Sequence, residues 1–106
     1  MNSFEYMKVY ETKEAKRDKQ LISKSYNKTV KSKLEYFVQD ILDNPRNLNT
    51  IGNPEELRHK EFPTFSRELT AKDRIVYGIE PGKNYNMPEE AEIIVFYQYL
   101  GHYADK

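Results

Sequence analysis

Side chains that could perform general acid–base chemistry occur in three short stretches of the 106-residue sequence. These residues are Glu55, Glu56, Arg58 and His59; Arg67, Glu68 and Arg74; and the pair His102-Tyr103. Metal-free acid–base catalysis needs a proton acceptor, a proton donor and a cation that are close together in space. Histidine can donate or accept a proton near neutral pH, because the ordinary pKa of imidazole is about 6.5. The three stretches together contain every group that such a reaction needs.

Other kinds of catalytic site leave signatures that this sequence lacks. It has no glycine-rich phosphate loop, no dinucleotide-binding glycine motif, no histidine pair at metalloprotease spacing and no lipase-type nucleophile elbow. The absence of cysteine excludes disulfides and thiolate metal sites, and two histidines far apart in sequence argue against zinc. A metal site built from carboxylates alone stays open, although no helical or strand-paired arrangement of acidic residues suggests one. We therefore expect neither a metal ion nor a cofactor.

Length and composition predict a single domain that spans residues 1–106. Charged residues make up 32% of the sequence and hydrophobic residues 38%, as in small globular proteins. The net charge is zero, whereas nucleic-acid-binding proteins usually carry a basic excess. No apolar run approaches the roughly 20 residues of a membrane span, and no secretory signal pattern opens the sequence. We expect a cytoplasmic protein with no membrane partner.

Hydrophobic periodicity predicts five strands and two helices. The strands are predicted at residues 4–10, 56–62, 65–70, 74–80 and 92–99, with turns at 63–64 and 71–73 and a polar loop at 81–91. The helices are predicted at 13–24 and 28–43, with Thr12 and Asn27 placed as N-caps. Apolar residues recur at spacings of three and four in the second helix, which indicates a core-facing stripe. The last strand is almost continuously apolar, which is typical of a central strand.

The element order β-α-α-β-β-β-β predicts an α+β fold in which two N-terminal helices pack on one face of a mostly antiparallel sheet. If the last four strands form one sheet, the charged groups project near one another on its exposed face. An alternative interpretation is a solvated face with cross-strand ion pairs, for example Arg58 or Arg67 with Glu56 or Glu68. The residues alone leave both interpretations open.

In their order and spacing, four segments resemble the YoeB/Txe branch of the RelE toxin superfamily. They are residues 51–59, 65–70 and 73–77 and the pair His102-Tyr103. Members of this family are toxins of bacterial toxin–antitoxin pairs, small endoribonucleases that enter the ribosomal A site and cut mRNA. The resemblance runs from about residue 26 to the C-terminal region, and the spacing from Glu55 to Arg74 matches without a gap. It implies the microbial RNase-like fold of RelE and YoeB.

The resemblance also implies a role for each residue of the candidate site. Glu55 corresponds to the general base that deprotonates a ribose 2′-hydroxyl, and Arg74 to the clamp on the attacked phosphate. His102 corresponds to the general acid that protonates the departing 5′-oxygen. Tyr103 corresponds to the family's terminal tyrosine, which positions or stacks on the RNA. Such a reaction yields a 2′,3′-cyclic phosphate and a 5′-hydroxyl without a metal ion.

Two further arginines match basic positions of the family near RNA, and three features depart from its pattern. Arg58 falls where the family has a basic residue near the substrate backbone, and Arg67 matches the arginine of a Ser-Arg pair. Glu56 replaces a proline, which leaves open whether Glu55 or Glu56 is the base. Glu68 replaces a second arginine, and the loop at 81–91 is longer than the family's turn.

Partners follow from the resemblance as well. It implies a cognate antitoxin of the YefM/Axe type, the 70S ribosome with its A-site mRNA, and operator DNA only through the antitoxin. The alternative from another functional class is a non-catalytic module of the same fold that binds the ribosome or a protein. A third interpretation is a structural domain in which the Glu–Arg–His set is coincidental.

Overall fold

A computed structural model describes residues 7–102 as a five-stranded sheet with two helices. The elements are β1 (Met7–Glu11), α1 (Lys13–Ser25), α2 (Lys28–Asp43), β2 (Glu55–Leu57), β3 (Thr64–Thr70), β4 (Asp73–Pro81), a short 3-10 helix (Gly82–Tyr85) and β5 (Glu92–Gln98). The strand order is β1-β5-β4-β3-β2, in which β1 pairs with β5 in parallel and every other pairing is antiparallel. The predicted α+β architecture is confirmed.

Both helices begin at the predicted capping residues. The Thr12 side chain accepts a hydrogen bond from the backbone N–H of Ala15, and the Asn27 side chain accepts one from that of Val30. These bonds satisfy backbone donors that have no partner inside the helix. Neither helix of the described residues has the length and apolar character needed to cross a lipid bilayer.

The core lies between the helices and one face of the sheet. Its members are Ala15, Ile22, Leu34, Phe37 and Ile41 from the helices, and Phe65, Leu69, Ile75, Tyr77, Ile79, Ile94, Phe96 and Tyr99 from β3, β4, β5 and the residue that follows β5. Side chains alternate between the faces of a strand, so Ser66, Glu68, Arg74 and Val76 project from the opposite face. The predicted central strand, β5, does lie between two neighbours and buries Ile93–Phe96. The helix-free face of β3 and β4 carries Glu68 and Arg74.

The strand bounds differ from the prediction mainly at β2. The predicted strand at 56–62 is limited to Glu55–Leu57, and residues 58–63 form an irregular connection. His59 has a φ of 62°, which no regular strand accommodates, and Pro63 has no N–H to donate to a ladder. Thr64, which was predicted to lie in a turn at 63–64, is instead the first residue of β3. Residues 4–6 of the first predicted strand lie outside the described residues.

Candidate active site

Arg74 is the best-anchored charged side chain on the helix-free face. Its Nε and Nη2 donate to Ser66 Oγ on β3, at 3.1 and 2.8 Å. Ser66 is fully buried, and the Arg74 side chain keeps 19% of its surface exposed. Two bonds to one buried hydroxyl fix the plane of the guanidinium group while leaving one side accessible. A planar guanidinium fork of this kind is well suited to binding a phosphate.

Glu55 lies beside Arg74 because of the strand register. It is the first residue of β2 and pairs with Ser66, which is the residue that anchors Arg74. One Glu55 carboxylate oxygen is 3.5 Å from Arg74 Nη2, and its side chain is 67% exposed. The pair is therefore long and solvated, and such pairs contribute little to stability. An exposed carboxylate next to a cation is instead free to meet a substrate.

A tight turn delivers the chain to Glu55. Gly52 and Asn53 both have left-handed backbone conformations, with φ of 87° and 47°. The Gly52 carbonyl accepts the backbone N–H of Glu68 at 2.7 Å, and the Asn53 carbonyl is 3.5 Å from Arg74 Nη2. This turn packs closely, because a Cβ at Gly52 would lie 2.6 Å from the Phe37 ring. The segment before Glu55 is thus held against both α2 and β3.

The residue before His102, Gly101, is hydrogen-bonded to the backbone of Arg74. The carbonyl of Gly101 accepts the backbone N–H of Arg74 at 2.9 Å, and its N–H donates to Asp73 Oδ1 at 2.8 Å. Gln98 Nε2 donates to the carbonyls of both Gly101 and Arg74, at 3.2 and 3.3 Å. The residue that follows, His102, is exposed, and its side chain makes no hydrogen bond within residues 7–102. Its backbone is anchored next to Arg74, and its imidazole is accessible.

Asp73 is the carboxylate that fastens this C-terminal segment to β4. Burial favours its neutral form, but hydrogen bonds from the Gly101 N–H and the hydroxyls of Thr70 and Tyr26 outweigh that effect and hold the pKa of Asp73 below its ordinary value. Asp18 on α1 adds a second anchor, since it accepts the backbone N–H groups that follow Gln98. Two carboxylates, Asp73 and Asp18, therefore hold the segment that leads to His102. The sequence reasoning had identified neither of them as a support of the site.

Arg67 does not join the site, which corrects the expectation of an RNA contact. It shares the core-facing side of β3 with Phe65 and Leu69, and its side chain is fully buried. Its Nη1 lies 2.5 Å from Asp40 Oδ2 on α2, and this hydrogen bond is the main reason that the pKa of Asp40 is lowered. Arg67 is a core residue that ties β3 to α2.

Arg58 is the other predicted RNA contact that the structure describes. Arg58 is exposed in the connection after β2, where residues 56–63 line an open cleft of about 650 Å³. Tyr103 lies outside the described residues. His59, the second histidine, is exposed in the same connection as Arg58. The structure therefore places Glu55 beside the Arg74 side chain and binds Gly101, the residue before His102, to the Arg74 backbone. It leaves Arg58 exposed in the connection after β2.

The sequence reasoning missed Asn53 and Ser66 as parts of the site, and it did not relate Glu68 to Arg74. All three touch Arg74 or its carboxylate partners. An open cleft of about 530 Å³ lies over this set, lined by Leu48, Thr50, Asn53, Pro54, Glu55, Glu68 and Arg74. Within the described part of the chain, no group of three or more histidine, aspartate or glutamate side chains could hold a metal ion. The cleft thus offers carboxylates and a guanidinium group as its reactive side chains.

Solved toxin structures share this fold. The structure superimposes on a YoeB/ParE toxin from Agrobacterium tumefaciens with a TM-score of 0.72 and 21% identity, covering 92% of this chain and 100% of that one. A chain of the heterotetrameric YoeB–YefM toxin–antitoxin complex from Staphylococcus aureus gives 0.67 and 21%, over 92% and 98%. An archaeal RelE–RelB complex from Pyrococcus horikoshii gives 0.63 and 12%, over 91% and 94%. At these identities the likeness establishes the fold.

Sequence comparison establishes the family. No curated protein sequence matches the chain. The sequence model of one family, described as the YoeB-like toxin of bacterial type II toxin–antitoxin systems, matches residues 3–94 and so covers most of the chain. That span includes Glu55 and Arg74 together with every element of the described fold up to the first residues of β5. The protein belongs to the YoeB-like toxins of bacterial type II toxin–antitoxin systems.

Proposed function

We propose that this toxin is a ribosome-dependent mRNA endoribonuclease that cleaves RNA by metal-free acid–base transesterification. The observation that carries the proposal is the contact of Glu55 with Arg74, whose backbone also binds the residue before His102. The Glu55 carboxylate lies 3.5 Å from the Arg74 guanidinium, and the Arg74 backbone holds the residue before His102 at 2.9 Å. A base and a cation at one cleft, with an exposed histidine next to a residue that is bound to the Arg74 backbone, support phosphodiester cleavage through the 2′-hydroxyl.

Glu55 is the proposed general base. It accepts the proton of the ribose 2′-hydroxyl, and the resulting oxygen attacks the adjacent phosphorus. The register favours Glu55 over Glu56, because Glu55 pairs with Ser66 on the helix-free face and Glu56 pairs with Phe65, a core residue. The Glu56 side chain therefore projects from the face opposite to Arg74. The need for a 2′-hydroxyl makes RNA, and not DNA, the substrate.

Arg74 and His102 complete the reaction. Charge builds on the phosphoryl oxygens as the 2′-oxygen attacks, and the guanidinium group of Arg74 stabilises it. His102, in its protonated form, donates a proton to the 5′-oxygen as the bond to phosphorus breaks. The products are a 2′,3′-cyclic phosphate and a 5′-hydroxyl. Tyr103 is the residue proposed to position the RNA or to stack on it. Arg58, in the connection after β2, is the residue proposed to contact the RNA backbone.

The proposed partners are a cytoplasmic 70S ribosome with mRNA in its A site and a cognate antitoxin of the YefM/Axe type. Toxins of this fold have been solved in complex with the antitoxins YefM, DinJ and RelB. A flexible antitoxin segment that orders on binding could cover the cleft at Arg74, since such segments wrap large surfaces. In this proposal, operator DNA is bound only through the antitoxin.

The proposal is tested by inducing the wild-type protein and single variants in bacteria and mapping mRNA ends by primer extension. The variants are Glu55→Ala, Arg74→Ala and His102→Ala, with Glu56→Gln as the matched control on the other face of β2. We expect growth arrest and translation-dependent cuts with the wild type and the control, and neither with the three site variants.

A different result would favour the non-catalytic alternative. Growth arrest without mRNA cuts would identify an inhibitor that binds the ribosome. A soluble wild-type protein that causes neither arrest nor cuts would refute the nuclease proposal. If Glu56→Gln abolished the cuts and Glu55→Ala did not, the assignment of the base would be wrong.

A further inference from the structure

Glu68 lies directly opposite Arg74 in the antiparallel pair of β3 and β4. Its Oε2 is 3.3 Å from Arg74 Nη1, and its Oε1 accepts a hydrogen bond from Asn53 Nδ2 at 2.9 Å. The Glu68 side chain is 48% exposed. One carboxylate oxygen is thus held by the turn before Glu55, while the other contacts Nη1, one of the two nitrogens of the Arg74 fork.

The guanidinium group of Arg74 has an acceptor at each of its three nitrogens in this arrangement, and Nη2 is also 3.5 Å from the Asn53 carbonyl. Its Nε donates to Ser66, its Nη2 to Ser66 and Glu55, and its Nη1 to Glu68. A phosphate that binds the fork in a bidentate manner must replace acceptors that are already present. Ser66 is buried beneath the guanidinium and neutral, so the groups open to replacement are the two exposed carboxylates.

The two carboxylates differ in how firmly they are held. Glu55 is more exposed, and its oxygen is 3.5 Å from Arg74 with no second hydrogen bond in the described residues. Glu68 is closer to Arg74 and is fixed from behind by Asn53, whose backbone is itself fixed in a left-handed turn. Glu68 is therefore the pre-positioned anion at the fork, and Glu55 the mobile one.

We propose that Glu68 acts as an internal competitor for the RNA phosphate at Arg74. This inference rests on the proposed function and adds a specificity-determining residue to its site. Free RNA must displace a tethered carboxylate to reach the fork, which weakens its binding. RNA presented by a scaffold that also contacts the protein has a high effective concentration at the cleft and displaces Glu68 more readily. Glu68 thereby favours scaffold-bound over free RNA.

The competition is measured most directly with inorganic phosphate, which requires no cleavage. Phosphate is titrated into the purified protein at constant ionic strength and followed by NMR at the Nε–H of Arg74 and the backbone N–H of Ser66. In Glu68→Gln, which keeps the shape and removes the charge, we expect phosphate to bind about three- to tenfold more tightly, because an exposed ion pair and a nearby like charge are each worth a small factor.

Two more variants separate local competition from other effects. Glu90→Gln removes one negative charge from the exposed loop before β5, and we expect it to leave phosphate affinity at Arg74 unchanged. Asn53→Gly removes the hydrogen bond to Glu68 and tolerates the left-handed backbone, so it should tighten phosphate binding by a smaller factor than Glu68→Gln. Equal affinities in wild type, Glu68→Gln and Asn53→Gly would overturn the proposal. So would an equal gain in Glu90→Gln.

Cleavage assays then test the consequence for RNA choice. With Glu68→Gln we expect the rate on free RNA to rise more than the rate on mRNA bound to the ribosome. Loss of cleavage in Glu68→Gln would overturn the proposal, because it would make Glu68 a required group. If neither the wild-type protein nor any variant cut RNA, the proposed function would fail. The phosphate titration would still decide whether Glu68 competes with phosphate at Arg74.

Discussion

The buried pair of Arg67 and Asp40 gives the most quantitative prediction for the fold. Arg67 is fully buried, and its Nε and Nη2 have no hydrogen-bond acceptor in the described residues. Its buried positive charge is therefore compensated by the hydrogen bond from Nη1 to Asp40. Asp40 is 29% exposed and also accepts from the Thr50 hydroxyl at 3.0 Å. Removing the charge of Asp40 leaves the buried Arg67 cation without a counter-ion, whereas removing Arg67 leaves Asp40 as a partly solvated, hydrogen-bonded carboxylate. The two losses should therefore differ.

We expect Asp40→Asn to lower the free energy of unfolding by about 3–5 kcal/mol, the usual cost of an unpaired buried charge. Arg67→Met should cost only about 1–2 kcal/mol, because Asp40 keeps water and Thr50 as partners. The double variant should recover most of the loss of Asp40→Asn. The measurement is urea unfolding at pH 7 followed by circular dichroism. Costs below about 1 kcal/mol for Asp40→Asn, or additive losses in the double variant, would refute this reasoning.

The same pair predicts a pH dependence of stability. The hydrogen bond from Arg67 lowers the pKa of Asp40 in the folded state below its value in the unfolded chain. A lowered carboxylate pKa contributes stability that is present above the unfolded pKa of about 4 and is lost as the pH falls below it. The difference in unfolding free energy between wild type and Asp40→Asn should therefore be full at pH 7 and shrink below about pH 4. A difference that does not change with pH would contradict this cause.

Four other substitutions test the site and its supports. Gly52→Ala should lower the free energy of unfolding by about 2–4 kcal/mol, because a Cβ there meets the Phe37 ring in a left-handed backbone. Gly101→Ala has a similar φ, but its Cβ would lie 3.9 Å from the Gln98 side chain, so it should cost less in urea unfolding. Asp73→Asn should lower the melting temperature at pH 7, and the effect should shrink as the pH falls below about 4, because the pKa of Asp73 is lowered in the folded state. Arg74→Lys should reduce RNA cleavage about 10²-fold with unchanged thermal stability, since a lysine cannot form the fork.

Local signals predicted the helices and their caps correctly. Thr12 and Asn27 satisfy N–H groups three residues ahead, and this short-range bond depends only on neighbouring residues. The end of β2 was predicted wrongly because the left-handed backbone of His59 has no signature in a residue of that type. The burial of Arg67 could have been foreseen from the period of two that it shares with Phe65 and Leu69. Its partner Asp40 is on a helix that is distant in sequence, so the pairing of the two residues could not be predicted.

The candidate site shows the same division between local and long-range information. The residue types and their order were sufficient to identify a resemblance and to select Glu55, Arg74 and His102. Their proximity depends on the register that pairs Glu55 with Ser66 and Glu68 with Arg74, which composition and periodicity do not specify. Sequence reasoning noted Glu68 as a change of sign, but only the cross-strand geometry relates it to the guanidinium fork.

The central claim is that the Glu55–Arg74–His102 site cleaves RNA through the 2′-hydroxyl without a metal ion. Its most direct test uses purified toxin and ribosomes programmed with an mRNA that carries a single 2′-deoxynucleotide at the cut position, beside the all-ribose control. We expect the control to be cut to a 2′,3′-cyclic phosphate and a 5′-hydroxyl, as identified by mass spectrometry, and the substituted mRNA to stay intact. Cutting of the substituted mRNA at that position would contradict the account.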